Sequence, residues 1–121
     1  MTYSIFQSGG DQVEDKRQIV DNLVLELRRG TLVLSVLSQL VAPQYGYSLV
    51  ESLETKGVHI DPGTLYPLLR RLEKQELLQS EWETTGPKPR KYYILSALGK
   101  EVYQELCTEW LELNKSIMAI L

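Results

Sequence analysis

The sequence predicts a mainly α-helical chain that contains one small β-hairpin. Apolar residues recur at helical spacing in five segments, the last of which runs to the C-terminus. From Leu77 to Glu83 the apolar and polar residues alternate instead, which is typical of a strand, and Arg90 to Leu95 is rich in aromatic and β-branched residues. The glycine and prolines between residues 84 and 89 favour a turn. The expected order is four helices, a hairpin and a long C-terminal helix.

The length and composition favour one domain that needs no disulfide to stabilise it. The chain has 121 residues, of which 43% are hydrophobic, enough for a core of its own. Its single cysteine, Cys107, excludes an intrachain disulfide and favours a reducing compartment. Residues 1–10 lack the pattern of a signal peptide, and no run approaches about 20 apolar residues. We therefore expect a cytoplasmic protein without a membrane partner.

The first three helices are predicted from periodicity and from their boundaries. Residues 1–10 are polar and end in Gly-Gly, so a loose tail is expected before a helix over residues 11–29. Gly30 separates it from a helix over 31–41 that is apolar nearly all round and therefore central. A third helix spans 47–56, and Gly57 follows where a left-handed cap residue is expected.

The segment from Asp61 to Gln75 predicts a helix with two unlike faces. Asp61 can cap it with its side chain and Pro62 suits the first helical position. One face carries Leu65, Leu68, Leu69 and Leu72, and the other carries Gly63, Tyr66, Pro67, Arg70, Arg71 and Lys74. A helix with such a basic face fits a DNA major groove, and an ordinary solvated helix explains the pattern equally well on its own.

Positive charge is concentrated in the middle of the chain. The net charge of −3 is unusual for a nucleic-acid-binding protein. Residues 84–95 nevertheless hold three basic residues and no acid, whereas residues 97–121 hold two lysines and four glutamates. Residues 11–27 hold two basic and five acidic residues. We expect the acidic ends to face a partner subunit or water.

Three helices followed by a two-stranded ribbon with a basic tip form a winged helix-turn-helix. In that fold the third core helix enters the major groove. The ribbon, or wing, lies beside it, with its tip over phosphate or the minor groove. The two basic surfaces are adjacent in this sequence. The prolines on both sides of Lys88 stiffen the tip, which lowers the entropy lost on docking. The alternative for the basic tip is a solvated charged turn.

Several motifs resemble the PadR family of bacterial transcriptional regulators. They are Gly46-Tyr47, the run from Gly63 to Glu73, Gly86-Pro87, the run from Arg90 to Tyr93, Leu95-Ser96 and Gly99. The resemblance covers residues 27–121 and implies a homodimeric winged-helix repressor of the compact subgroup, located in the bacterial cytoplasm at the nucleoid. Ser96 and Leu98 stand where the family often has Thr and Glu, and the extension through Glu26 is longer than in many members.

The resemblance divides the chain into three parts. Residues 1–29 form a tail and accessory helix, residues 30–96 the winged helix-turn-helix DNA-binding domain, and residues 97–121 the dimerisation helix. The expected DNA-contacting residues lie on the helix from Asp61 to Gln75, which we call the reading helix, and on the wing. They are Thr64, Tyr66, Pro67, Arg70, Arg71, Lys74, Lys88, Arg90, Lys91 and Tyr92.

Some of these assignments have structural alternatives. Tyr66 could instead be a half-buried ring, and Pro67 could serve packing as well as a slight kink near the groove. Tyr92 and Tyr93 point to opposite faces of a strand, and the sequence does not say which reaches phosphate.

The last helix carries more apolar surface than a solvated tail would. Its stripe consists of Val102, Leu106, Trp110, Leu113, Ile117 and Leu121. The simplest partner is the same helix of a second subunit. The alternative is the N-terminal helix of the same chain. In some compact relatives an aromatic residue at a similar place stacks on planar drugs in a cavity between subunits, so Trp110 is a possible ligand contact, although a core role is favoured.

No enzyme class is indicated. The sequence has no phosphate-cradling glycine loop, no nucleophile motif and no histidine dyad, and the lone His59 and Cys107 make no metal set. The resulting hypothesis is a homodimeric repressor, without cofactor, that binds a near-palindromic operator in double-stranded DNA. Its rivals are a winged-helix module that binds a regulatory protein and a small-molecule sensor. The operator, the inducer and the target genes are not encoded in any recognisable motif.

Overall fold

The computed structural model describes residues 12–121, with side chains from Asp15 onward. The chain forms two compact units, one ending at Leu32 and one spanning residues 33–121. The elements follow the predicted order with one addition, strand β1. They are α1 (Gln12–Arg29), α2 (Leu32–Gln39), β1 (Gln44–Tyr45), α3 (Gly46–Thr55), α4 (Pro62–Lys74), β2 (Leu78–Glu83), β3 (Arg90–Leu95) and α5 (Ala97–Ile120).

Helix α1 leaves apolar side chains open to solvent. Ile19, Leu23, Leu25 and Leu27 are each more than half exposed, although the helix is amphipathic as predicted. Arg17 and Asp21 form an exposed ion pair one turn apart at 3.8 Å, which contributes little to stability. The tail predicted over residues 1–10 lies outside the described residues.

The core of the second unit is built from three helices. The side chains with at most 1% exposure come from α2 and the residue after it, from α3 and from α4: Val36, Leu37, Leu40, Leu49, Leu53, Leu65, Leu69 and Leu72. Burial of each such side chain stabilises the fold by roughly 1.5–3 kcal/mol. The leucine face predicted for α4 is therefore confirmed as a buried face, and α3 buries Leu49 and Leu53 beside it.

The predicted hairpin is confirmed as β2 and β3, and a third strand that was not predicted extends it to a three-stranded sheet. The order is β1-β3-β2, with both pairs antiparallel. Strand β1 is only two residues long, too short for alternation to show in the sequence. Its Tyr45 pairs with Tyr92 of β3, which makes β3 the central strand of the sheet. The wing is thus attached at its base to the segment that begins α3.

The helix boundaries confirm one cap and contradict another. Gly57 follows α3 with φ of 81°, the left-handed conformation predicted for it. The Asp61 side chain makes no capping hydrogen bond, contrary to prediction. Its backbone carbonyl accepts instead from the amides of Thr64 and Leu65 at 3.0 and 2.9 Å. The start of α4 therefore depends on backbone geometry and on Pro62.

The start of α5 is fastened to the segment just before β2. Serine is a residue type that favours an N-cap, and the Ser96 hydroxyl caps the helix by accepting from the Gly99 amide at 2.9 Å. It also donates to the Glu76 carbonyl at 2.6 Å, and the Ser96 amide donates to the Leu77 carbonyl at 3.0 Å. A Cβ on Gly99 would lie 2.0 Å from the Leu77 carbonyl oxygen. Glycine is unfavourable inside a helix, but at residue 99 it permits this close approach of the two backbones.

Candidate nucleic-acid interface

Helix α4, the reading helix, turns its polar face to solvent. Its four leucines are buried against the core, with Leu68 the most accessible at 8%. Pro67 lies inside the helix without ending it. The whole predicted contact set on this helix is exposed: Thr64, Tyr66, Pro67, Arg70, Arg71 and Lys74.

Tyr66 lies against the backbone of Gly46. A Cβ on Gly46 would come within 2.5 Å of Tyr66 Cε1, so only glycine leaves room for the ring in this position. Tyr66 is 40% exposed. The ring is therefore both partly packed, as the structural alternative supposed, and accessible on the predicted face.

A groove of about 440 Å³ separates the reading helix from the wing, which comprises β2, β3 and the turn between them. We call it the cationic groove. Its lining carries three cations and no carboxylate: Tyr45, Gly46, Tyr47, Tyr66, Arg70, Trp82, Pro89, Arg90, Lys91 and Tyr93. By contrast, another surface groove, on α5, is lined by Glu101, Gln104, Glu105, Thr108 and Glu109. Four of the ten predicted contact residues thus line one groove: Tyr66, Arg70, Arg90 and Lys91.

Sequence reasoning did not assign several residues of the cationic groove to the interface, among them two exposed aromatic residues. Tyr47 is 72% exposed at the start of α3, and Trp82 is 63% exposed on β2. Trp82 shares a strand face with Leu78 and Ser80, and that alternation was the available signal, because it extends the buried face towards the tip. Both rings add apolar surface to the lining of the cationic groove.

Lys91 does not project from the wing as a solvated cation. Its Nζ lies 3.2 Å from Glu73 Oε1 of the reading helix, 5.4 Å from the centroid of the Tyr93 ring and 6.0 Å from that of the Trp82 ring. The Ser80 hydroxyl donates to the other oxygen of Glu73. Both charged side chains are about 30% exposed, at 30% for Lys91 and 31% for Glu73.

These contacts stabilise the charged forms of both partners. The hydrogen bond from Ser80, aided by Lys91, lowers the pKa of Glu73 despite its partial burial. Burial alone would lower the pKa of Lys91, but the hydrogen bond to Glu73 and the nearby Tyr93 raise it overall. The ion pair is therefore intact at neutral pH.

Tyr92 and Tyr93 occupy opposite faces of β3, and the structure assigns them. Tyr93 is buried in the core at 5% exposure. Tyr92 stacks on Tyr45 with ring centroids 4.1 Å apart. The hydroxyls of both stacked tyrosines donate to Glu83, from Tyr45 at 3.0 Å. The bond from Tyr92 is the main cause of the lowered pKa of Glu83, and it raises the pKa of Tyr92.

The remaining wing cations are exposed. Lys88 lies in the turn and Arg90 at the start of β3. The Arg90 guanidinium carbon is 4.7 Å from the centroid of the Tyr45 ring, within the range of a cation–π contact. The predicted wing set thus has two accessible members, Lys88 and Arg90, and two members held by other side chains, Lys91 and Tyr92.

The predicted apolar stripe of α5 becomes more exposed towards its C-terminus. Val102 and Leu106 are half-buried, whereas the rest of the stripe is exposed: Trp110, Leu113, Ile117 and Leu121. Trp110, the possible ligand contact, is 39% exposed. More than half of the side chain of Leu113 and nearly all of that of Leu121 is accessible.

Other chemistry is sparse in the part of the chain that the structure describes. His59 Nδ1 lies 3.0 Å from Glu54 Oε2, and this hydrogen bond raises the pKa of the exposed histidine. No three His, Cys, Asp or Glu side chains among the described residues gather as metal ligands.

Between residues 12 and 121, none of the helices combines the length and apolar character needed to cross a bilayer.

Comparison with known proteins assigns the family. Residues 33–105 match the transcriptional regulator PadR-like family. A crystal structure of a PadR family regulator from Eggerthella lenta is 50% identical with a TM-score of 0.86, covering 88% of this chain and 96% of that one. A PadR-like transcription factor from Bacteroides fragilis is 36% identical with a TM-score of 0.69, covering 83% and 99%. The transcriptional regulator Rv3488 of Mycobacterium tuberculosis is 32% identical over 66% of this chain and 76% of its own length. The chain therefore belongs to the PadR-like family of transcriptional regulators.

Proposed function

We propose that the chain is a homodimeric, DNA-binding repressor that recognises a near-palindromic operator in the bacterial nucleoid. Each subunit inserts its reading helix into a major groove and lays its wing over the adjacent backbone. The two reading helices then lie about 34 Å apart, one turn of the duplex. Repression follows because the bound dimer occludes the promoter.

The cationic groove is the observation that carries the DNA-binding part of this proposal. Arg70 of the reading helix and Arg90 of the wing both line it, together with five aromatic residues and no carboxylate. A chain with net charge −3 has thus segregated positive charge where winged-helix proteins meet the phosphate backbone. An interaction module for proteins needs no such segregation.

The exposed residues divide by the chemistry that they offer DNA. Arg70 and Arg71 are placed to donate bidentate hydrogen bonds to guanine O6 and N7. Lys74 and Lys88 are point charges suited to phosphate. Thr64 and Tyr66 supply hydroxyls near the start of the same helix. We extend this set to Tyr47 and Trp82 because they line the cationic groove.

The apolar stripe of α5 supports the homodimer. Leu113 and Ile117 lie one turn apart at 60% and 45% exposure, and Leu121 continues the row. A continuous apolar row on a 24-residue helix is costly in water and is removed most simply by a two-fold copy of itself. Pairing through α5 leaves the reading helix of each subunit available to DNA.

The decisive experiment is a titration of the protein with duplex DNA from the chain's own upstream region, followed by fluorescence anisotropy at two salt concentrations. We expect operator binding that is tighter than binding to random duplex and that weakens with salt. Sedimentation of the same samples should give a dimer. A rival module that binds a regulatory protein predicts no difference between the two duplexes.

A second candidate role, as a ligand sensor, rests on Trp110. This ring remains 39% exposed beside the apolar stripe, so a planar aromatic compound could stack on it between two paired helices. The test uses a Trp82→Phe variant, in which Trp110 is the remaining tryptophan, and follows quenching by planar drugs. Quenching that also releases operator DNA supports an inducer site, and unchanged fluorescence contradicts it.

A further inference from the structure

We propose that Glu73 is a positioning residue that fixes the wing at one angle to the reading helix, and that Lys91 serves this contact instead of binding DNA phosphate. The inference rests on the proposed DNA-binding function, and it departs from the sequence-based expectation for Lys91. We call the contact among Glu73, Ser80 and Lys91 the wing brace.

The wing brace joins three elements through one carboxylate. Glu73 lies in the last turn of α4, where Oε1 accepts from Lys91 of β3 at 3.2 Å and Oε2 accepts from Ser80 of β2. Ser80 pairs with Tyr93 and Lys91 pairs with Trp82 across the two strands, so the two donors lie two rungs apart on the same face of the ladder. A shift of either strand relative to the reading helix breaks one of these bonds.

The wing brace lies where apolar packing ends. Nearer the base of the wing, Leu78 and Tyr93 are buried at 3% and 5% exposure. Nearer the tip, Trp82 is open on one side of the cationic groove. The outer half of the wing therefore has little core to hold it, and the polar contact at Glu73 is what continues the attachment to the reading helix.

The negative charge of Glu73 is unfavourable for DNA binding at this position. A carboxylate on a helix that approaches phosphate repels the ligand, so Glu73 costs DNA affinity unless it does something else. Its negative charge is matched by Lys91, which leaves that lysine with little charge to offer a phosphate. A reading helix and a wing that are already at the correct angle lose less entropy on docking, and that gain offsets the repulsion.

The first test compares Glu73→Ala with Glu81→Ala. Both variants remove one negative charge from the interface region, but Glu81 is exposed on the opposite face of β2. Charge alone predicts that both bind DNA more tightly. The wing brace predicts that Glu73→Ala weakens operator binding about three- to tenfold while binding to random duplex does not weaken. Operator binding by Glu73→Ala that is as tight as by Glu81→Ala would overturn the proposal.

The second test separates positioning from phosphate contact by the salt dependence of binding. Lys88→Ala, at the exposed turn, should reduce the slope of log K against log salt by about 0.9, the value for one lost phosphate contact. Lys91→Ala should leave the slope unchanged and lower operator affinity as much as Glu73→Ala does. The double variant Glu73→Ala/Lys91→Ala should be no weaker than either single one. A slope reduced by Lys91→Ala contradicts the assignment.

The third test needs no DNA and includes a rescue. Amide hydrogen exchange in β2 and β3 should accelerate in Glu73→Ala and stay near the wild-type rate in Glu81→Ala and in Glu73→Gln, whose amide oxygen still accepts from Lys91. Equal exchange in all variants overturns the wing brace. If wild-type protein binds no DNA while Glu73→Ala still loosens the wing, the proposed function fails and the brace stands.

Discussion

The reading helix and the C-terminal helix carry the same apolar periodicity and have opposite fates in the structure. In α4, Leu65, Leu69 and Leu72 are at most 1% exposed. In α5, the matching row ends in Leu113, Ile117 and Leu121, which are 45% to 92% exposed. The outward faces differ as well, since that of α4 is rich in arginine and lysine whereas that of α5 is lined by glutamates.

This contrast shows that amphipathic spacing predicts a buried face without saying what buries it. Helix α4 packs on α3 and β2 of the same unit, and its polar face is left for a polyanion. The apolar row of α5 exceeds what its own unit covers beyond Leu106. The proposed partners of the two helices therefore differ: DNA for α4 and a second copy of the chain for α5.

The sharpest comparison between the helices is Leu69→Ala against Leu113→Ala. Leu69→Ala creates a cavity in the core and should lower the free energy of unfolding by about 2–5 kcal/mol at every protein concentration. Leu113→Ala should lower it only at concentrations where the wild-type protein is a dimer. Denaturant unfolding at several concentrations, with sedimentation of the same samples, measures both. A concentration-independent loss in Leu113→Ala would place this residue in the core of the subunit.

The first turns of the two helices provide the next comparison, Gly99→Ala against Gly63→Ala. The new methyl group at residue 99 would meet the Leu77 carbonyl oxygen at 2.0 Å, whereas nothing lies within 4 Å of the corresponding position on Gly63. Gly99→Ala should therefore cost roughly 1–3 kcal/mol of unfolding free energy, and Gly63→Ala should be neutral or stabilising. Thermal unfolding of both variants checks this, and equal midpoints would contradict the close approach.

The outward faces are compared by Arg70→Ala and Glu105→Ala. Loss of Arg70 should reduce discrimination at one operator base pair by about 1–3 kcal/mol, because the proposed bidentate contact with guanine is lost. Glu105→Ala, on the acidic face of α5, should leave base preference unchanged. Binding to a panel of single-base operator variants measures the effect. Loss of preference at no position in Arg70→Ala would remove this residue from the reading set.

The smallest expected effect is the pH response of His59, on the loop between α3 and α4. Glu54 raises its folded-state pKa above the ordinary value of 6.5. The contribution to stability is therefore complete below about pH 6.5 and disappears as pH rises through the folded-state pKa. An NMR titration of the imidazole should show this pKa falling in Glu54→Gln. An unchanged titration would show that the ion pair is absent in solution.

Much of the fold followed from the sequence because its signals are local. The leucine spacing of α4, the alternation in β2 and the left-handed Gly57 all depend on a few neighbouring residues, and each is confirmed. Strand β1 was missed because two residues carry no period. The side-chain cap predicted for Asp61 was wrong, because the residue type favours an N-cap but does not determine the orientation of the side chain.

The contacts of the interface were less predictable, since they join residues far apart in the chain. The basic character of Lys91 was visible, but Glu73 lies 18 residues away and its approach to β3 depends on how α4 packs on the sheet. The positions of Tyr92 and Tyr93 could be distinguished only from the sheet, because the structure shows which of its faces packs on the core. Trp82 was seen as part of an alternating strand, and its place beside Arg70 required the groove.

The fastening of α5 at Ser96 and Gly99 has a mechanical consequence. The hinge that would let a tail swing independently is absent at this joint, because Ser96 holds the Glu76 and Leu77 carbonyls and Gly99 leaves no gap beside them. We therefore expect the start of α5 and the root of β2 to move together, so that a rotation of the helix start also displaces the base of the wing.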